Sequence, residues 1–123
     1  MSAPAAFAIV AAFNLVCSGD QSTFTTGEKG SLQTTPFAIT YRVDLESRRW
    51  CLDPCSQTSA LVTVSETKLV FSRLDDPPNT YIEVSVNRES GSYSSTIQFG
   101  SRNSMRGGTC TPAPFTGFPR RKF

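Results

Sequence analysis

The chain has 123 residues, of which 38% are hydrophobic and 18% charged, with a net charge of +2 and no histidine. Its length points to one domain, and its composition is too apolar and too weakly charged for a disordered chain. The missing histidine removes the commonest general base and the commonest neutral metal ligand.

The opening "MSAPAAFAIVAAFNLVC" has no Lys or Arg ahead of an apolar run over Ala5–Ala12. That run is far too short for a transmembrane segment. With the small residues Ala11 and Ala12 at its end, residues 1–12 read as a signal-like or disordered lead, and cleavage after Ala12 would leave Phe13 first. A lipoprotein site needs small residues before the cysteine, and Leu15-Val16 before Cys17 are too bulky. A single domain is then expected over residues 13–123.

Strand patterns follow. Phe13, Leu15 and Cys17 share one face of "FNLVC". Turn signals fall at "GEKGS" over residues 27–31. "FAITYRVDL" alternates through Phe37, Ile39, Tyr41, Val43 and Leu45, the period-2 pattern of a strand with one buried face. "ALVTV" and "KLVFSRL" are β-rich runs, "DDPPN" is a breaker, and "IEVSVN" and "YSSTIQF" alternate again. "SRNSMRGG" over residues 101–108 reads as a loop, with a last strand near 107–112. No window has helical period. The strands are expected near 13–25, 33–45, 48–52, 59–65, 68–74, 79–88, 92–100 and 107–112.

Two phrases nearly repeat. "YRVDLESRRW" (41–50) and "VSVNRESGSY" (84–93) share Val43/Val86, Asp44/Asn87, Glu46/Glu89, Ser47/Ser90 and the aromatics Trp50/Tyr93. Each reads as a β-hairpin opened by Asp or Asn, with the aromatic restarting the next strand as a core anchor. Gly91 suits a left-handed position at the second tip. The first copy has Arg48 there, which predicts a different turn.

Four cysteines, Cys17, Cys51, Cys55 and Cys110, allow three pairings. Pro54 turns the chain between Cys51 and Cys55, which favours a local bridge and leaves Cys17 with Cys110. That second bridge would close a loop of roughly 94 residues, worth a little under about 5 kcal/mol in the chain-entropy model. Structural zinc usually needs two close ligand pairs, and only one is present, so no metal is expected. Free thiols in a reducing compartment remain the alternative. Short connections and about eight strands indicate an all-β antiparallel up-and-down meander, barrel-like and disulfide-stapled. Closure would remove exposed edges and place Cys17 beside Cys110.

The order "FNLVCSG", "YRVDL…RWC…C", "VNRESG" and "GTC…PFTGFP…KF" resembles a family of small uncharacterised alphaproteobacterial proteins over most of residues 13–123. That resemblance implies a fold and a bacterial setting. The chain is also similar to the periplasmic lysozyme inhibitors built on a disulfide-bearing barrel, through a cysteine on the first strand, a late cysteine and "SGSY" at 90–93.

For chemistry, Asp44, Glu46, Glu83 and Glu89 read as solvated turn or outward residues, and "RGG" is an isolated loop. The chain is therefore expected not to be an enzyme and to need no cofactor. The candidate binding residues are Arg48, Arg49 and Arg88 at the hairpin tips, and Arg106 in its loop. They would meet an acidic protein or an envelope component. Nucleic acid is disfavoured because most aromatics sit in core phase. The expected role is a binding or structural module of the cell envelope, periplasmic or secreted and monomeric. The alternatives are a barrel holding an apolar ligand and an inhibitor-like protein. The large inward candidates Phe37, Tyr41, Trp50, Phe71, Tyr93 and Phe99 predict a filled interior.

Overall fold

The computed structural model describes residues 11–120, and all regular structure among them is β. The strands are β1 (Ala12–Thr25), β2 (Gln33–Asp44), β3 (Arg49–Leu52), β4 (Ser59–Ala60), β5 (Thr63–Val64), β6 (Lys68–Asp76), β7 (Thr80–Asn87), β8 (Ser92–Phe99) and β9 (Arg102–Ala113). They form one antiparallel sheet in the order β4-β3-β2-β1-β9-β8-β7-β6-β5. The meander is as expected, and β1 does pair with β9.

There are nine strands rather than eight because the segment expected at 59–65 is split. Ser59–Ala60 pairs with β3 and Thr63–Val64 with β6. Between them the Leu61 N–H donates to the Arg48 carbonyl and the Val62 N–H to the Val70 carbonyl. The chain thus crosses from one sheet edge to the other within two residues, and the sheet curls into a half-barrel. Crossing occurs at one end only. β3 reaches only Tyr41–Asp44 of β2, and β5 only Leu69–Val70 of β6. The other end stays open.

The expected loop at 101–108 is instead the first half of β9. Each residue from Arg102 to Gly108 faces a β1 partner, Thr25 through Gly19, and β8 flanks the other side. Two ladders override a turn-rich composition. The glycines have a packing reason, since a Cβ on Gly108 would overlap the Ser18 carbonyl and one on Gly19 the Gly107 carbonyl.

The repeated phrases build one hairpin twice. Asp44 Oδ1 accepts from the N–H groups of Glu46 (3.0 Å) and Ser47 (3.4 Å). Asn87 Oδ1 accepts from Glu89 (2.8 Å) and Ser90 (2.9 Å). Arg48 has φ 56° and Gly91 φ 78°, so the predicted difference in turn geometry is absent. Each left-handed residue accepts through its carbonyl, Arg48 from Leu61 and Gly91 from Cys110. Each residue after the Asx donates away from the tip, Leu45 to Ala11 and Arg88 to Thr67. Ala11 and Ala12 therefore belong to the folded unit. The rest of the expected lead lies outside the described residues.

Both bridges form, Cys17–Cys110 and Cys51–Cys55. Cys17 stands directly opposite Cys110 and is fully buried. The closed end is packed by aromatics. Tyr41 stacks on Phe71 with centroids 4.1 Å apart, and Trp50 meets both at 5.5 and 5.3 Å. Phe71 sits at a bulge, where the β6–β7 register skips between Val70 and Ser72. Leu15, Val43, Leu69, Val84 and Val86 fill the space around them. This end of the interior is filled, as the large side chains predict, and the other end is not.

Candidate functional site

Beyond the aromatic layer, among the described residues, only β2, β1, β9, β8, β7 and β6 continue, and they form a concave face that no described strand roofs. Alternation along each strand identifies the inward residues. From Tyr93, β8 presents Ser95, Ile97 and Phe99. Ile97 pairs with Ile82 of β7, which pairs with Leu74 of β6. This wall is apolar, and its outer members are uncovered, with Leu74 46% and Phe99 55% exposed. The opposite wall is polar. It carries Gln21 and Thr23 on β1, Gln33 and Thr35 on β2, and Ser104 on β9. A cleft of about 520 Å³ runs between Thr23 and Gln33 on one side and Ile97 and Phe99 on the other.

Arg106 stands at the deep end of this face. It is in step with Cys110 and Gly108 on β9 and lies between Gln21 of β1 and Ser95 of β8. Its Nε–H donates to Gln21 Oε1 at 2.6 Å, and its guanidinium lies 5.5 Å from the Phe37 ring centroid. Phe37 packs on Tyr93 at 5.7 Å, and the hydroxyls of Tyr93 and Tyr41 are 2.6 Å apart. Burial, and next the proximity of Tyr93, push the Tyr41 hydroxyl pKa well above its ordinary value, while the Arg106 charge pulls the other way. Arg106 is thus placed by the register in a half-buried polar floor, and its expected place in a surface loop is corrected. Among the described residues the ion pairs are Arg42–Asp53 and Arg73–Glu83, so Arg106 has no carboxylate partner.

The other candidate arginines lie at the closed end, away from Arg106. Arg49 donates to the Thr58 hydroxyl and carbonyl at 2.9 and 2.7 Å, and Arg88 donates to the Ser65 carbonyl at 2.6 Å. Arg48 is exposed, but Glu46, Glu66 and Glu89 share that end. The tips therefore carry mixed charge. Asp44 is engaged as a turn cap and Glu83 faces Arg73. Trp50 is half-buried with its indole N–H on the Ala60 carbonyl at 3.3 Å, whereas Tyr93 is 2% exposed. Gln21 and Ser95 were not picked out from sequence. Counting back by twos from Cys110 would have placed Arg106 inward and pointed to its neighbours.

The edges beside the open face resist strand addition. The Thr40 carbonyl accepts from the Asp53 N–H, so Ala38, Pro36 and Thr34 point their backbone groups to the same free edge. Pro36 has no N–H to offer there, and it costs the β1–β2 ladder nothing. Arg73, Asp75 and Asp76 charge the opposite edge. Among the described residues no group of three or more His, Cys, Asp or Glu side chains is placed to hold a metal ion, and no helix is long and apolar enough to cross a membrane. No protein-family model matches the chain, nor does any curated protein or solved structure.

Proposed function

We propose that this protein is a non-enzymatic binding module of the bacterial cell envelope, periplasmic or secreted, and that the open concave face is its binding surface. The observation that carries this reading is the apolar wall of Leu74, Ile82, Ile97 and Phe99, which faces solvent inside a concavity. Uncovered apolar surface in a concave setting, with a few polar groups nearby, is the character of a ligand site. The non-enzymatic part is supported by the lack of histidine and by four cysteines all held in bridges. The two bridges are compatible with an oxidising compartment. The resemblance to small alphaproteobacterial proteins and to periplasmic lysozyme inhibitors belongs to the same proposal, as the reason to choose the envelope.

Titration with an uncharged apolar dye tests the reading. Dye fluorescence should rise on binding, and Leu74→Ser with Phe99→Ser should abolish the rise. Both side chains are exposed, so the fold should survive, with stability changes within about 0.5 kcal/mol each. Replacing Arg48, Arg49 and Arg88 with Ser should leave the dye bound. The opposite pattern would move the site to the hairpin tips.

A further inference from the structure

We propose that the polar floor of the open face is a carboxylate site, and that its ligand is a single-chain aliphatic carboxylate lying with its chain along the apolar wall. This rests on the open face being the binding surface. Arg106 carries one positive charge and five N–H groups, and its one hydrogen bond among the described residues is Nε–H to Gln21. The Tyr41 and Tyr93 hydroxyls share a single hydrogen bond, which consumes one hydroxyl proton and leaves the other to donate elsewhere. Gln21 Oε1 is already accepting from Arg106. The floor therefore holds surplus donors and a net positive charge in a setting that is half-withdrawn from water. An anionic acceptor satisfies both.

The charge selects a monoanion. Arg106 is the one cation of the floor, and at the rim Arg102 shares the cleft with Glu28, so their charges offset. A phosphate monoester would bring the floor a second negative charge with no partner, and a carboxylate matches the planar guanidinium fork. The walls select one chain. Ile82, Ile97 and Phe99 offer one apolar strip, and a second chain would lie on Gln21, Thr23 and Gln33 opposite. From Arg106 to the rim at Arg102 the strand advances about 13 Å, enough for a medium-length acyl chain.

Calorimetric titration of the full chain with dodecanoate, dodecanol and dodecyl phosphate decides the matter. Dodecanoate should bind at least tenfold more tightly than dodecanol. Arg106→Gln should remove that preference and leave dodecanol unchanged, and Arg106→Lys should keep part of it. If Arg106→Gln does not fold, the dodecanoate-to-dodecanol ratio in the native chain decides alone. Equal affinities for dodecanoate and dodecanol would overturn the carboxylate site and leave the apolar wall as the binding surface. Preference for dodecyl phosphate would overturn the monoanion choice. Binding of none of the three would overturn both this inference and the reading on which it rests.

Discussion

The two disulfides have very unequal leverage on stability. Cys17–Cys110 spans 93 residues of sequence and Cys51–Cys55 only 4. In the chain-entropy model the stabilisation grows with the logarithm of the loop, which puts the long bridge at about 4.7 kcal/mol and the short one at about 2 kcal/mol. The difference, about 2.5–3 kcal/mol, is a large part of the roughly 5–15 kcal/mol that holds a domain of this size together. Packing acts in the same direction. Cys17 and Cys110 both belong to the central core cluster, whereas Cys55 lies in the loop after β3. Two double variants test this, Cys17→Ala with Cys110→Ala and Cys51→Ala with Cys55→Ala, compared by urea unfolding with stability extrapolated to water. The first should lose about 2.5–3 kcal/mol more than the second. Equal losses, or a larger loss from the Cys51–Cys55 pair, would refute the view that the long bridge does most to restrict the unfolded chain.

The twin hairpins predict opposite signs for paired changes. Arg48→Gly should be neutral or stabilising by up to about 1 kcal/mol, because relief of the left-handed φ is offset by glycine's added freedom in the unfolded chain. Gly91→Ala should cost about 1–3 kcal/mol, since its φ is 78° and its Cβ would lie 2.8 Å from the Cys110 carbonyl oxygen. Thermal melts of the two variants check both. Tyr93→Ala should cost about 3–5 kcal/mol and the half-buried Trp50→Ala less, about 2–3 kcal/mol, by urea unfolding. Alkaline pH should destabilise the native chain. The Tyr41 pKa is raised by burial, so its stabilising contribution is complete below about 10, the value in the unfolded chain, and is lost as pH rises beyond it. Tyr41→Phe should flatten the slope of stability against pH above about 10, as read from urea melts at stepped pH.

The strand map was legible because the signals were local. Alternation from Phe37 to Leu45 and from Ile82 to Val86 marks a buried face, and Asp44 and Asn87 announce the turns. Cysteine count and position gave both bridges. What was hidden depends on partners distant in sequence. Residues 101–108 look like a loop because Ser, Asn and Gly dominate, and they become strand only because β1 and β8 supply ladders on both sides. Arg48 looks incompatible with the geometry of Gly91, yet its tip has the same Asx bonds and the same cross-strand anchor, which hold it in the left-handed region. The open end was missed for a related reason. The sequence shows that β3 and the 59–65 segment are short, but not that β2 and β6 run on past them. The arginines at the tips attracted notice by clustering, whereas the inward Arg106 was legible only through its phase with Cys110.

The central claim is that ligand is held on the open concave face. Amide chemical-shift mapping of the native chain during titration with dodecanoate tests it most directly. Shifts should concentrate at Gln21, Phe37, Ile82, Ile97 and Arg106, with the tips at residues 45–48 and 88–91 unmoved. Shifts concentrated at those tips, with Ile82, Ile97 and Arg106 still, would contradict it.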